Sequence, residues 1–255
     1  MSSKPISVLI TGANRGLGLE MVKQMMQSPL NVLFACCRDP DGPKAEELRA
    51  LAKKHSAIIK IIRMDTADRS SIKQAAEKVG SLLGGKGLNL VINNAATLTY
   101  SNVADSTPEA MAKEFNTNVI GPMSVIQEFL PYLRDAVKKS KVPGMSCEKA
   151  AVINLSSILG SIESRTQSFT SFQTVPYRAS KAGLNMLTAC AAFEFQKEEI
   201  LFIVLHPGWV KTDMGTADAD IDAHESVQGM LQVINSLTEK HNGAFLDYKG
   251  QSIPW

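Results

Sequence analysis

The chain has 255 residues, 44% hydrophobic and 20% charged, with 27 Lys plus Arg against 25 Asp plus Glu and a formal net charge of +2. This length suits one large α/β domain or two small ones and needs no disulfide staples. A balance so near neutral argues against a general nucleic-acid or acidic-membrane binder and leaves room for one local basic pocket. The four cysteines, Cys36, Cys37, Cys147 and Cys190, include no Cys-x-x-Cys. They read as reduced, mostly buried thiols rather than a zinc ribbon or a disulfide framework. The apolar run 8–10 is too short for a signal-peptide core. No stretch approaches the roughly 18 apolar residues of a membrane span, and the ending Ser-Ile-Pro-Trp carries no targeting signal. The expected compartment is the cytoplasm.

In chain order, the pattern predicts a strand at 7–11, a helix at 16–26 and a strand at 31–37. A helix follows at 44–54, with Ala45, Leu48 and Leu51 at helical spacing, then a strand at 58–64. A helix at 70–83, a strand at 88–93, a mostly helical stretch at 107–137 and a strand at 150–155 come next. A strongly apolar helix at 177–196, a continuous apolar strand at 200–205, a helix near 225–237 and a short strand at 244–246 complete the chain. Strands alternating with helices, the strands apolar on both faces, predict an α/β fold: a Rossmann-like, doubly wound parallel sheet in a single domain, 1–255. The segments 138–149, 158–176 and 212–223 resist assignment. The last two follow strands at the end where such sheets bind ligands, so they are candidate active-site loops.

The turn Thr11-Gly12-Ala13-Asn14-Arg15-Gly16-Leu17-Gly18 joins the first strand to the first helix. Glycines there allow a tight turn and a close approach of backbone to a pyrophosphate, which the helix N-terminus attracts. The spacing Gly-x-x-x-Gly-x-Gly differs from the familiar Gly-x-Gly-x-x-Gly. The second strand ends Cys36-Cys37-Arg38-Asp39. Where an NAD site would place an acid on the ribose, Cys37 stands, followed by Arg38. Arg15 and Arg38 converging on the ribose suit a 2′-phosphate and favour NADP over NAD. Asp39 weighs against this if the alignment shifts by one. Asp65 lies where an adenine edge passes, with a helix N-cap as its alternative role. Asn93-Asn94-Ala95-Ala96 ends the fourth strand, where small residues let a cofactor lie on the backbone and the Asn amides tie adjacent strands.

Of four tyrosines, Tyr177 alone has a lysine four residues on, Lys181, which puts both on one helical face. The helix follows a strand ending Asn154-Leu155-Ser156-Ser157. Thr-Gly-x-x-x-Gly-x-Gly, Asn-Asn-Ala, a strand-end Ser, Tyr-x-x-x-Lys and Pro207-Gly208 occur together and in order over nearly the whole chain. In this the sequence resembles the short-chain dehydrogenase/reductase family, and within it the sniffer-type carbonyl reductases. The stretches 156–162 and 206–214 and the ending from Asn242-Gly243 to Trp255 support that subgroup.

The resemblance implies an NADPH-dependent carbonyl reductase, acting on aldehydes and ketones, and a homodimer. It makes Tyr177 the general acid/base. Lys181 would bind the nicotinamide ribose and, with the oxidised nicotinamide, lower the phenol's pKa from about 10 by about three units, roughly 4 kcal/mol of differential interaction. Ser157 would hold the substrate oxygen, with Ser156 the alternative if the register slips. Asn118 would serve a proton relay, and Pro207, Gly208, Val210 and Thr212 would clamp the nicotinamide carboxamide. Gly12, Asn14, Arg15, Gly16, Leu17, Gly18, Arg38, Asp65, Asn93 and Ala95 complete the expected cofactor set, and no metal site is expected. Pro122 stands four residues after Asn118 and lacks an N–H. The helix should therefore kink there and free the Asn118 carbonyl for a relay water.

Ala96 stands where the family usually has Gly, and the interval from Ser157 to Tyr177 is longer than usual. Its insertion is polar apart from Phe169 and Phe172, which would line a pocket for a hydrophobic carbonyl or anchor the loop. Trp209 and Met214 are further candidates for that pocket. His206 reads as structural, the methionines as core and lid filler, and Asp218, Asp220 and Asp222 as a solvated loop. Two rivals stand beside the reductase reading: an NADP-linked alcohol or steroid dehydrogenase, and a non-catalytic NADP(H)-sensing protein.

Overall fold

The computed structural model describes residues 4–164 and 173–255; Phe169, Phe172 and the rest of 165–172 lie outside the described residues. Seven parallel strands form one sheet. They are β1 Ile6–Thr11, β2 Leu30–Cys37, β3 Ile59–Arg63, β4 Leu90–Asn93, β5 Ala151–Leu155, β6 Leu201–His206 and β7 Phe245–Asp247. Their order is β3-β2-β1-β4-β5-β6-β7. The chain winds outward from β1 to β3, returns to place β4 beside β1, then winds outward the other way. Winding reverses between β1 and β4, and a crevice opens beyond their C-terminal ends.

The strand pleat divides the core in two. Val8 and Ile10 of β1, with Leu33 and Ala35 of β2, face one layer, while Leu9 and Phe34 face the other. The first layer holds helices α1 Gly16–Met25, α2 Glu46–Lys54 and α7 Ala223–Ser236, through Met21, Val22, Leu48, Val227 and Met230. The second holds α3 Arg69–Leu83 and α5 Gly121–Lys139, through Ile72, Val79, Val125, Phe129 and Leu133. The helix α6 Val175–Glu194 reaches this layer through Ala191 and Ala192. With both faces covered, β1, β4 and β5 are buried at every residue. That is why these strands read as apolar runs rather than as alternations.

Helix starts follow local chemistry. Asp68 caps α3 by accepting from the Ser70 N–H, and Asp222 caps α7 by accepting from the Glu225 N–H. The cap of α3 is therefore Asp68, not Asp65, whose carboxylate instead accepts from the Ala67 N–H at 3.0 Å. Thr107 caps α4 Pro108–Phe115, with Pro108 in the first turn, where a missing N–H is harmless. The predicted single helical stretch is two helices joined by a π turn, Asn116–Ile120, in which the Gly121 N–H reaches the Asn116 carbonyl five residues back. The expected departure near Pro122 is thus a widened turn.

His206 ends β6 opposite Asp247 of β7, and its Nδ1 has no hydrogen-bond partner. Burial pulls its imidazole down to about 4, against the pull of Asp247 upward. Between pH 6.5 and 4 the unfolded chain takes up a proton that the folded chain refuses, so stability falls as pH falls through that window. The loss reaches about 3 kcal/mol at the acid end. Unfolding midpoints measured across pH 7 to 4 should fall more steeply for wild type than for His206→Gln; parallel slopes would contradict the assignment. Phe129 is fully buried at the centre of the second layer. Phe129→Ala should lower urea stability by about 3–5 kcal/mol.

Candidate active site

The crevice begins at the glycine turn. Gly12 and Gly16 adopt φ of +65° and +54°, a region costly for side chains with a Cβ. Gly18 has an ordinary backbone, but a Cβ there would stand 2.2 Å from the Gly12 carbonyl oxygen. No side chain caps the start of α1. Its first N–H groups and its positive dipole end therefore open onto the crevice, an arrangement suited to phosphate. Thr11 joins the turn to β4: its Oγ1 accepts from the Asn94 N–H at 3.0 Å and the Ala95 N–H at 2.9 Å. The Asn94 amide donates to the Thr11 carbonyl at 2.8 Å. Asn93 turns its amide into the sheet, onto Asn154 Oδ1 at 2.8 Å, and Asn154 in turn donates to Thr188.

A cavity of 460 Å³ runs beside the turn, lined by Asn14, Arg15, Gly16, Lys44, Glu46 and their neighbours. The Asn14 amide donates to the Lys44 carbonyl across it. Arg38, at the end of β2, is exposed, and its guanidinium has no partner among the described residues. Asp39 does not offer its carboxylate to the crevice; it accepts from the Gly42 N–H at 3.2 Å, within its own turn. Arg15 forms an exposed ion pair with Asp213, on the segment that follows β6.

That segment passes over the glycine turn. Thr212 Cγ2 would lie 3.7 Å from a Cβ on Gly16. Gly208 takes φ +85°, and a Cβ there would stand 2.8 Å from Ile221. Val210 is buried and bridges Ile221. The Pro207 carbonyl accepts from Ser226, and the Trp209 indole N–H donates to the Gly215 carbonyl. Met214 is 38% exposed at the same rim. Asp65 lies at the outer end of β3, beyond Arg38.

Tyr177 and Lys181 sit in the first turns of α6 and are 7% and 3% exposed. Lys181 Nζ donates to the Leu155 carbonyl at 2.7 Å and lies 5.5 Å from the Tyr177 ring centre. Ser157 Oγ accepts from the Leu159 N–H at 3.2 Å, and Ser157 bears on the Tyr177 phenol. Ser156 Oγ donates to Asn185 Oδ1 at 2.7 Å, so its hydroxyl hydrogen is engaged within the protein. Burial pushes the Tyr177 phenol above its ordinary 10, with Ser157 acting downward and Glu114 upward. In the chain by itself desolvation outweighs Ser157. Burial also brings Lys181 down to about 8, with Glu114 acting upward.

Asn118, fully buried on the π turn, accepts from the Thr97 N–H at 2.9 Å and donates toward Glu114, Ser180 and the Thr97 carbonyl. Ser180 Oγ donates to the Tyr177 carbonyl at 2.8 Å. The fold thus places Asn118 beside the stretch after β4, and Ser157, Tyr177 and Lys181 at the end of β5. Sequence reasoning missed Glu114, Thr97 and Thr99. The available signal was Glu114 standing one helical turn before Asn118.

The pattern of the short chain dehydrogenase family matches residues 7–222. The NADPH-bound carbonyl reductase from chicken fatty liver superposes with a TM-score of 0.94 at 44% identity, covering 99% of this chain and 100% of that one. The carbonyl reductase Sniffer of D. melanogaster superposes with a TM-score of 0.92 at 35% identity, covering 98% and 100%. An uncharacterised oxidoreductase of Schizosaccharomyces pombe is 30% identical over the full length of both chains. No described helix is long and apolar enough to cross a membrane. A seven-stranded parallel sheet with this crevice, and a family match over most of its length, make the chain a member of the short-chain dehydrogenase family of oxidoreductases.

Proposed function

We propose that the chain is an NADPH-dependent carbonyl reductase that converts aldehydes and ketones to alcohols. The observation that carries this reading is the buried Tyr177 with Lys181 Nζ 5.5 Å from its ring, in a fold that also holds a glycine turn shaped for phosphate. The residues fit the cofactor. Gly18 leaves room only for backbone, α1 begins uncapped, and the unpartnered Arg38 suits a 2′-phosphate. Gly12, Asn14, Gly16, Leu17 and Gly18 would border the pyrophosphate, Arg15 and Arg38 the 2′-phosphate, and Asp65 the adenine. Asn93 and Ala95 would line the floor, and Pro207, Gly208, Val210 and Thr212 the nicotinamide. When bound, NADPH supplies the hydride.

Tyr177 then gives its proton to the carbonyl oxygen, while Ser157 holds that oxygen in line. Lys181 binds the ribose hydroxyls and steadies the phenolate left behind. Asn118 supports proton resupply, since Pro122 has no N–H with which to close a helix bond to the Asn118 carbonyl. Burial keeps the phenol protonated, which suits an acid in reduction better than a base in alcohol oxidation. Trp209 and Met214 at the rim favour apolar carbonyls. Family resemblance extends the reading to a cytoplasmic homodimer, checked by fractionation and light scattering.

Tyr177→Phe should lower kcat by about 10²–10⁴-fold and leave the NADPH Kd within about threefold; a variant that keeps most of its turnover would sink the assignment. Arg38→Asp removes a charge-assisted bond worth about 1.5–3 kcal/mol. Titration calorimetry should show NADPH binding about 10- to 100-fold weaker, with NADH little changed. Equal or tighter NADH binding by the wild type would remove the NADP preference.

A further inference from the structure

The chain beyond β7 folds back on the sheet. Asp247 Oδ1 accepts from the Lys249 N–H at 2.9 Å and the Gln251 N–H at 2.8 Å, and Gly250 takes φ +82°, so the reversal is tight. The returning stretch pairs antiparallel with β7: Ser252 bridges Leu246, and the Ile253 N–H donates to the Phe245 carbonyl at 2.8 Å. Trp255 then packs its indole on the buried Phe245, with ring centres 5.5 Å apart and planes at 35°. Its main-chain oxygen accepts from the Glu163 N–H at 2.9 Å. β6 alone separates β7 from β5, and this bond joins the stretch after β7 to the loop that leaves β5.

That loop carries Ser157 at its root. The Gly160 N–H donates to the Ser157 carbonyl at 2.9 Å, and the Ser164 N–H to Ser161 Oγ at 3.0 Å, so the segment is a run of short turns. Its middle rests on α6 at the lysine: a Cβ on Gly160 would stand 2.8 Å from the Lys181 Cβ, and Asn185 Nδ2 donates to the Gly160 carbonyl at 3.3 Å. The loop is thus held at Gly160 by Asn185 and at Glu163 by Trp255. A backbone bond at the surface opens readily unless its acceptor is itself fixed. Here the contact of the Trp255 ring with Phe245 fixes it.

We propose that Trp255 is a positioning residue for the loop that carries Ser157. With its ring anchored on Phe245 and its main-chain oxygen on Glu163, it keeps 157–164 pressed on α6, and so keeps Ser157 in register with Tyr177 and Lys181. The effect on turnover rests on the reductase reading; the effect on the loop does not. Trp255 acts by geometry alone, and a misplacement of about 1 Å in a reacting constellation costs up to about 10²-fold in rate.

Trp255→Ala deletes the ring and keeps the main-chain oxygen. In the full chain without cofactor, hydrogen exchange over 158–164, read by mass spectrometry, should become about 10-fold faster. Trp255→Phe keeps a ring on Phe245 and should stay close to wild type. In carbonyl reduction, kcat should fall about 10-fold in Trp255→Ala and recover in Trp255→Phe. The NADPH Kd should remain within about threefold of wild type in both. Should Trp255→Ala fail to fold, Glu163→Pro removes the donor N–H, leaves Trp255 on Phe245, and is expected to give the same two changes. A Trp255→Ala chain that loses thermal stability while exchange over 158–164 stays at the wild-type rate would overturn the proposal and leave Trp255 a cover for the edge of β7. Faster exchange with an unchanged kcat, in a chain that reduces carbonyls, would overturn the positioning role as well. Faster exchange in a chain that reduces no carbonyl would uphold the tether and overturn only the reductase reading.

Discussion

An ammonium buried to 3% exposure is the feature around which the site is arranged. Lysine is rarely enclosed, because its charge loses far more hydration than one contact returns. Here Lys181 is held by the Leu155 carbonyl and the face of Tyr177. These partners come from β5 and from α6 itself, so the charge is tolerable only once the sheet and the helix are assembled. The same enclosure that makes it costly gives it strength, since interactions in a dry pocket are screened far less than in water. Tyr177 feels that dryness as well and keeps its proton.

The π turn fits two helices to two tasks. Glu114, just before it, bonds Asn118, within it, and Asn118 reaches Ser180 of α6. After it, Val125, Phe129 and Leu133 of α5 face the sheet. The widened turn lets a polar face give way to an apolar one between neighbouring segments of one helical stretch. Gly121 belongs to the same arrangement: a Cβ there would stand 2.5 Å from the Thr66 carbonyl oxygen. Irregular helical turns of this kind recur at functional sites because they relocate side chains without breaking the rod.

Most of the fold is legible in the sequence because burial on both faces leaves a simple trace. Each strand from β1 to β6 is a short apolar run between turn residues, and each expected element exists within a few residues of its predicted place. Glycine spacing and Tyr-x-x-x-Lys carry the site because their chemistry is local: a turn, and one helical face. What escaped reading depends on tertiary context. Ser156 and Ser157 are equivalent as letters, and only the fold shows that one donates to Asn185 while the other accepts from the Leu159 N–H. Asp65 and Asp68 are both plausible caps until the backbone shows which N–H points back. Proline at 122 announces a missing hydrogen bond but not whether the chain will kink or widen. Glu114 looks like any surface acid on an amphipathic helix. Its burial is decided by α6, some sixty residues further on, which closes over it.

On the proposed reading, cofactor choice depends on which arginine is free to bind. Arg15 and Arg38 were equal candidates in the sequence, but the fold treats them differently. The Arg38 guanidinium has no partner among the described residues, beside a turn in which Asp39 has folded back onto Gly42. Arg15 is tied to Asp213, with both side chains more than half exposed. A pair so solvated holds by little more than about 1 kcal/mol, and a phosphate dianion competes with one carboxylate on charge alone. On the proposed reading, therefore, the pair does not withdraw Arg15 from a cofactor phosphate.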